Sequence, residues 1–305
     1  MQKIKCNLCN NDRFKKLFRK NAYDIVKCKN CGLVTVKPFP EKKDLSELYE
    51  EEYFVKGTGK KGYSNYKKGI KDYIDYVTKS PFIKKRINYL SMFKKKGALL
   101  DIGCAHGFFL KAAEEKGWKV RGVDISKYAA EYGKKKLGLK ITPESFEETE
   151  FAPNSFDAVT IWSFFDHVLD PTSLLKRVNR ILKPGGIVAF NISNIDSYRA
   201  KINGADWRPF RPPEHLYYYS ITTTNALLKK TGFRLPAYFG KREVKMTDII
   251  RNPDSKLEGG KKTFSFSFPK WTCLYLQGLI YSICEKFNLG GLTVGSNLEV
   301  FAEKR

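Results

Sequence analysis

One short segment, residues 99–107, constrains the fold of this chain more than any other. It reads Leu99-Leu100-Asp101-Ile102-Gly103-Cys104-Ala105-His106-Gly107 and changes from an apolar strand pattern to a turn rich in small residues. Residues 108–113 then read as a helix. A strand, a glycine-rich turn and a helix N-terminus form the opening unit of a nucleotide-binding α/β sheet. The next predicted strand, residues 119–123, ends at Asp124, where a carboxylate can accept hydrogen bonds from ribose hydroxyls.

The spacing of small residues in this turn separates two classes of nucleotide site. A dinucleotide site carries G-x-G-x-x-G, whereas this chain reads D-x-G-x-A-x-G between Asp101 and Gly107. Any tight strand-to-helix turn favours glycine, because glycine adopts positive φ without steric cost. The turn alone therefore leaves a cofactor site and a simple structural turn both open.

Three further patterns follow the turn in the order that an alternating α/β fold requires. Residues 156–162 form a buried-strand pattern and run into residues 165–171, Phe-Asp-His-Val-Leu-Asp-Pro. An amphipathic helix comes next, and Lys183-Pro184-Gly185-Gly186 is expected to end it. Residues 187–190 are then predicted to form another strand.

Together these patterns resemble the class I S-adenosylmethionine-dependent methyltransferases. That family carries an acidic glycine-rich loop, F-D-x-V, D/E-H-x-x-D-P and L-K-P-G-G in the same order. Here Ala105 stands where glycine is commoner. The resemblance implies a Rossmann-like doubly wound α/β sheet, an enzyme, and S-adenosylmethionine as its cofactor.

Position by position, the resemblance assigns the cofactor to nine residues: Asp101, Gly103, Ala105, Gly107, Asp124, Ile125, Ser145, Phe146 and Ser163. The first four would hold the methionine side, Asp124 the ribose, and Ile125 the adenine face. Ser145 or Phe146 stands at the adenine edge, where many relatives carry an aspartate. Ser163, after Trp162, ends the fourth strand, where the sulfonium and the acceptor would meet.

A second strong pattern lies near the amino end, where two C-x-x-C pairs are separated by 18 residues. Cys6, Cys9, Cys28 and Cys31 match the spacing of a ribbon-type zinc site. Four cysteine ligands leave no open position for water, so the zinc is expected to be structural. Disulfides fit this pattern less well, because no signal peptide is evident. The same reasoning predicts a cytoplasmic protein.

The net charge of +24 is concentrated in the first third of the chain. Residues 1–100 carry 25 Lys and Arg against 10 Asp and Glu, whereas residues 101–190 carry 13 against 12. Tyrosines interleaved with the lysines favour RNA or a phosphate-bearing small molecule as partner. A general enrichment in solvated lysine explains the same excess without any partner.

No apolar run reaches the length that spans a bilayer. The longest, residues 271–284, contains Gln277 and is expected to form a core or cap helix, with weak membrane-surface contact as the alternative. Nothing in the sequence indicates an oligomeric state.

The layout also resembles a bacterial methyltransferase subgroup whose better understood members are nucleotide-sugar C-methyltransferases. The matching segments are residues 28–34 (C-x-x-C-G-L-V), residues 37–40, the pair Tyr53-Phe54, and residues 213–220 (P-E-H-L-Y-Y-Y-S). The resemblance implies that the Glu-His pair acts at the sugar with the histidine as base. The implied catalytic residues are His215, Glu214 and, at the end of the fourth strand, His167.

These inferences predict a zinc ribbon at 1–40, a basic aromatic helical connector or lid at 41–95, a methyltransferase core at 96–240 and 296–305, and an insertion at 241–295. The predicted function is methyl transfer to a small, phosphate-bearing acceptor such as a nucleotide sugar or glycan intermediate. The alternative is an RNA methyltransferase that grips RNA with its ribbon, although residues 191–194 lack the N-P-P-Y signature of amino-group methylation. A cofactor-binding protein without catalysis is the third hypothesis.

Overall fold

The computed structural model describes residues 5–41, 81–240 and 296–305. Two predicted regions therefore lie largely or wholly outside the described residues. They are the 41–95 connector up to residue 80, including Tyr53-Phe54, and the 241–295 insertion with its apolar run at 271–284. Among the described residues, no helix is long and apolar enough to cross a membrane.

The described strands are β1 (Phe14–Lys20), β2 (Tyr23–Cys28), β3 (Val34–Lys37), β4 (Ala98–Ile102), β5 (Lys119–Val123), β6 (Ile141–Thr142), β7 (Phe156–Ile161), β8 (Leu182–Ser193), β9 (Tyr217–Tyr218), β10 (Phe233–Gly240) and β11 (Asn297–Lys304). The described α-helices are α1 (Pro81–Phe93), α2 (Phe108–Glu115), α3 (Lys127–Leu137), α4 (Pro171–Ile181), α5 (Tyr198–Asn203) and α6 (Ile221–Lys230).

The larger sheet has the strand order β10-β11-β8-β7-β4-β5-β6. Strand β11 runs antiparallel to both of its neighbours, and the other pairs are parallel. Strands β4 and β7 are almost entirely buried, as expected of parallel strands covered on both faces. This Rossmann-like sheet confirms the predicted α/β fold class. It also brings the carboxyl ends of β4, β5, β7 and β8 to one edge, where ligands bind in such sheets.

Local sequence signals explain where the helices begin and end. Helix α3 starts after Ser126, whose hydroxyl accepts a hydrogen bond from the Ala129 amide, and it ends at Gly138 with a φ of 68°. Helix α4 starts after Asp170, which accepts from the Ser173 amide at 2.9 Å. These caps fix the loops that carry the site residues between strands and helices.

The predicted start of β8 was wrong by five residues. Helix α4 ends at Ile181, directly before the Lys183-Pro184-Gly185-Gly186 segment, and this segment already belongs to the strand, which begins at Leu182. The register of β8 against β7 shifts between Phe156 and Ala158, and Gly185 takes a φ of 67° at this irregularity. Glycine absorbs such a shift because positive φ costs it little.

The smaller sheet joins the amino-terminal region to the rest of the protein. Its order is β1-β2-β3-β9, and β9 comes from the 213–220 segment, about 180 residues later in the chain than β3. The Thr35 hydroxyl donates to the Leu216 carbonyl at 2.8 Å, and the Lys230 ammonium donates to the carbonyls of Asn7 and Leu8 at 2.9 Å. Buried residues of both sheets form one continuous hydrophobic cluster.

Candidate active site

The glycine-rich turn adopts a backbone conformation that depends on its small residues. Gly103, Ala105 and Gly107 have φ values of 70°, 47° and 77°. The Gly103 amide donates to the Val123 carbonyl at 2.9 Å, which folds the turn over the end of β5. Because an alanine with positive φ is strained by roughly 1–2 kcal/mol, Ala105 is held there by its surroundings. Its amide donates to the Asp124 carboxylate at 2.7 Å.

Two buried carboxyl groups flank this turn. Asp101 accepts a hydrogen bond from the Thr160 hydroxyl at 2.6 Å, and burial raises its pKa to about 7. Asp124 accepts from the amides of Ala105 and Ser126, which oppose the rise in its pKa that burial causes. Each oxygen of Asp124 still has a lone pair for a further donor such as a hydroxyl.

The other residues assigned to the cofactor lie in different surroundings. Ile125 is 45% exposed beside Asp124, and Ser145 has a buried hydroxyl without a hydrogen-bond partner in the described part of the chain. Phe146, in contrast, is a core residue, with its ring 6.1 Å from that of Phe151 and only 3% exposed. Its ring therefore packs into the core, and its contact with the adenine edge stays a prediction.

Ser163 lies just beyond the end of β7 in a strained left-handed conformation, with a φ of 56°. Its amide donates to the side-chain oxygen of Asn191 at 2.6 Å, which ties it to β8. Strain of this kind persists where surrounding contacts enforce it, often at functional sites. Trp162, directly before it, is buried against Phe109, with ring centroids 5.6 Å apart.

A cavity of about 410 Å³ opens at this edge of the sheet. Ser163, Phe164, His167 and His215 line part of its wall. Phe164 also packs against the glycine-rich turn, since a Cβ on Gly103 would lie 2.9 Å from its ring. The cavity and the turn are therefore adjacent, and the Phe164 side chain contacts both.

Histidines from two distant segments meet in this cavity. The rings of His167 and His215 lie 4.9 Å apart, and ligand atoms of these residues and Glu214 all lie within 4.8 Å of one another. Arg211 Nη2 lies 3.2 Å from His215 Nε2 and 3.4 Å from Glu214 Oε1. Such a set of donors can also hold a divalent cation, but the guanidinium already contacts two of its three members.

Burial keeps both imidazoles neutral. Burial, aided by the charge of Arg211, lowers the pKa of His167 to about 3. Burial, with smaller effects from His167 and Arg211, lowers the pKa of His215 well below its usual range. The pKa of Glu214 is raised by burial, although Arg211 opposes this. A neutral imidazole can accept a proton.

Sequence reasoning missed several residues that line the same cavity, among them Asp166, Arg86 and three arginines of the 199–211 segment. Asp166 is buried and accepts from the Ser193 amide at 2.8 Å, and burial raises its pKa to about 7. Arg86 lies on α1, where its Nε donates to Glu299 at 2.9 Å and its guanidinium stacks 4.1 Å from the Trp162 ring. Asp166 stands in the Phe-Asp-His motif and could have been found there, but Arg86 has no local signal.

The four amino-terminal cysteines converge as their spacing predicts. Cys6 and Cys31 have sulfurs 3.5 Å apart, Cys9 and Cys28 have sulfurs 3.6 Å apart, and all four sulfurs lie within 4.8 Å of one another. Tetrahedral zinc with bonds near 2.3 Å places its sulfur ligands about 3.8 Å apart. The cluster is therefore compatible with a small zinc ribbon.

One known protein family matches more than half of this chain. Residues 76–237, more than half of the chain, match a family described as "Methyltransferase domain". The chain belongs to this methyltransferase family. The Rossmann-like fold and the glycine-rich turn agree with a methyltransferase domain of the kind that uses S-adenosylmethionine.

Two curated relatives and one solved structure illustrate the similarity. The ubiquinone biosynthesis O-methyltransferase of Vibrio cholerae is 32% identical over 136 residues, or 40% of this chain and 54% of that protein. The enzyme of the same name from Thiobacillus denitrificans is 32% identical over 167 residues, or 52% of this chain and 70% of that protein. The methyltransferase spans about half the length of the Vibrio relative.

The solved structure is a SAM-dependent methyltransferase from Archaeoglobus fulgidus, with a TM-score of 0.51 and 23% identity. The match covers 73% of this chain and 93% of that one. At this identity the likeness supports the fold of the methyltransferase and nothing finer.

Proposed function

We propose that this methyltransferase acts on a small acceptor that carries a phosphate group, as a nucleotide sugar or a glycan intermediate does. The observation that carries the proposal is the set of arginines lining the cavity: Arg86, Arg199, Arg208 and Arg211. Arg86 is paired with Glu299 at 2.9 Å. The other three come from one segment, residues 199–211. Guanidinium groups bind phosphate through paired, charge-assisted hydrogen bonds.

The size of the cavity agrees with a small acceptor rather than a polymer. A volume of about 410 Å³ lies in the range typical of small-molecule sites. The exposed position of Arg208 places positive charge near the mouth of the cavity. RNA, the alternative acceptor, is not favoured, because the matched relatives are named for a small-molecule biosynthesis.

The residues of the glycine-rich turn and of the neighbouring strand ends suit S-adenosylmethionine. S-adenosylmethionine supplies a methyl group on a positively charged sulfur, so the protein has to align the acceptor and remove a proton. Asp101, Gly103, Ala105 and Gly107 would surround the methionine part, and Asp124 would accept bonds from the ribose. The exposed Ile125 and the unpartnered hydroxyl of Ser145 suit the adenine, and Ser163 lies nearest to the acceptor cavity.

His215 is the proposed base. Its neutral imidazole would take the proton of the acceptor, and the bound S-adenosylmethionine would supply the methyl group that replaces it. A carbon acceptor needs such a base, because a C–H group beside a carbonyl is not nucleophilic until it loses a proton. Glu214 and His167, which lie beside His215, would orient the ring and the acceptor.

The relatives support a second candidate, which is transfer to an oxygen. The matched relatives from Vibrio cholerae and Thiobacillus denitrificans are both named O-methyltransferases. A hydroxyl acceptor also loses a proton on methylation, so His215 would act in the same way. The arginine-lined cavity does not distinguish carbon from oxygen, and the product must be identified directly.

We also propose that Cys6, Cys9, Cys28 and Cys31 hold one structural zinc ion in the 1–40 ribbon. The close approach of their four sulfurs supports this proposal. Thiolate ligands of this kind persist in a reducing compartment, which suits a cytoplasmic protein.

Methyl transfer with [methyl-¹³C]S-adenosylmethionine tests the proposal. Purified protein is offered a nucleotide-sugar mixture in one reaction and total RNA in another, and NMR of the product separates C-methyl from O-methyl groups. We expect label in the nucleotide-sugar fraction and a loss of at least about 100-fold in kcat for His215→Gln, the contribution typical of a general base. Label in RNA, or transfer that His215→Gln leaves unchanged, would contradict the proposal.

A further inference from the structure

The hydrogen bond between Arg211 and His215 determines which nitrogen of the neutral imidazole carries the proton. Arg211 Nη2 lies 3.2 Å from His215 Nε2. A guanidinium group has donors and no acceptor, so Nε2 must accept this bond with its lone pair. In the neutral ring the proton then lies on Nδ1. The lone pair that a base would use is therefore engaged by Arg211.

The same guanidinium is in a position to meet an anion. Arg211 lines the cavity together with Arg199 and Arg208, and its side chain is about one-third exposed. It also pairs with Glu214 at 3.4 Å, so it bridges the Glu-His pair and the cavity wall. A phosphate competes well for a guanidinium, because it offers opposite charge and two parallel hydrogen bonds, whereas a neutral imidazole offers one lone pair and no charge.

We propose that Arg211 is a positioning residue that masks His215 until the phosphate group of the acceptor draws the guanidinium away. The base is then released only when an acceptor occupies the cavity. This inference rests on the proposed function, in which His215 removes the proton and the acceptor carries the anion. It assigns a second task to the arginine cluster, which both binds the acceptor and controls the base.

The groups around His215 make its protonation a direct reporter of this change. His167 faces it from the turn after β7, Glu214 and Arg211 face it from its own segment, and Asp166 accepts the Leu216 amide through its backbone carbonyl. Among these, the cation of Arg211 is the group that an incoming anion would neutralise or move. The affinity of His215 for a proton should then rise.

NMR of the imidazole groups can measure this effect in the intact chain, because it contains only three histidines. Inorganic pyrophosphate serves as the probe, and the His215 resonance is assigned from its loss in His215→Gln. We expect pyrophosphate to raise the pKa of His215 by roughly one to three units, the range that a neighbouring charge produces. In Arg211→Met, which has no donor and no charge, the pKa should start higher and pyrophosphate should not move it.

Two further variants separate masking from simple loss of binding. Arg208→Met removes a cavity arginine that does not contact His215, so it should weaken pyrophosphate binding while leaving the starting pKa of His215 unchanged. Arg211→Lys keeps the charge and should retain part of the pyrophosphate response. His106 packs against Tyr132 with ring centroids 4.9 Å apart, and its unchanged resonance would show that each variant is folded.

An equal pyrophosphate shift in wild type and Arg211→Met would overturn the inference, as would the absence of any shift in the folded wild-type protein. The readout needs no methyl transfer. A chain that methylates only uncharged acceptors would therefore contradict the proposed function, while the response of His215 to pyrophosphate would still test the masking by Arg211.

Discussion

The ring of Phe164 occupies the space that any side chain at Gly103 would need. A Cβ built on Gly103 would lie 2.9 Å from Cγ of Phe164, and Phe164 also lines the acceptor cavity. The turn proposed to hold the cofactor is thus packed directly against the wall of the site that would hold the acceptor. A small side chain at Gly103 should therefore affect both the cofactor site and the acceptor cavity.

Gly103→Ala should weaken binding of S-adenosylmethionine, because the new methyl group displaces Phe164 and strains a backbone with a φ of 70°. We expect at least a tenfold loss of affinity, about 1.4 kcal/mol, measured by isothermal titration calorimetry. Gly138→Ala is the matched control. Its φ is 68° and nothing lies within 4 Å of the added Cβ, so it carries the strain without the clash. Equal losses in both variants would contradict this argument.

Asp124→Asn should weaken cofactor binding more than it affects folding. Asp124 accepts one amide bond on each of its two oxygens, and an asparagine can keep only one of them, because its nitrogen is a donor. The turn at Ala105 would then shift, and one ribose contact would be lost. We expect at least a tenfold loss of affinity for S-adenosylhomocysteine. Glu131→Gln on the exposed face of α3 should leave that affinity unchanged.

Local patterns predicted the parallel strands and the glycine-rich turn well, because each is encoded within a few residues. Runs such as residues 98–102 and 156–161 are buried and mostly apolar, although they include Asp101, Asp157 and Thr160. Gly103 and Gly107 adopt the positive φ that their identity favours. The convergence of the four cysteines also followed from spacing alone. These features depend on short-range geometry.

Contacts between distant segments were not predictable in the same way. Arg86 pairs with Glu299 across 213 residues, and Val34 in β3 is aligned with Tyr218 in β9. Nothing in either local sequence specifies its partner. The burial of Phe146 illustrates the same limit, since the local sequence does not specify how deeply this ring packs into the core.

The contribution of Asp101 to stability should depend on pH in the direction opposite to that of an ordinary ion-paired carboxylate. Burial raises its pKa in the folded protein to about 7, above the unfolded value near 4. Between these values the folded state binds more protons, so the contribution of Asp101 to the free energy of unfolding falls as pH rises. Asp101→Asn removes this dependence. Urea unfolding should show the variant gaining stability relative to wild type between pH 5 and pH 8, on the order of 1–3 kcal/mol.

Comparison with the wild type at each pH is needed, because His106 and His167 have lowered pKa values and act in the opposite direction. Asp157→Asn is the control, because the pKa of Asp157 is shifted in the direction opposite to that of Asp101. Its pKa is lowered through its contacts with Lys183 and the Ala98 amide, against the effect of burial. The stability of that variant relative to wild type should therefore change only below about pH 4, and it should stay constant between pH 5 and pH 8. A flat difference for Asp101→Asn would contradict the assigned pKa.

Removal of the proposed zinc should reduce activity as well as stability. The ribbon supplies β3, whose Thr35 hydroxyl donates to the carbonyl of Leu216, the residue directly after His215. Loosening the ribbon therefore loosens the segment that carries the proposed base. We expect one zinc per chain by mass spectrometry of metals, and a lower Tm and lower kcat in Cys9→Ser. Cys104→Ala should keep its zinc, because Cys104 lies in the glycine-rich turn. Full activity in a zinc-free protein would show that the ribbon does not hold His215 in place.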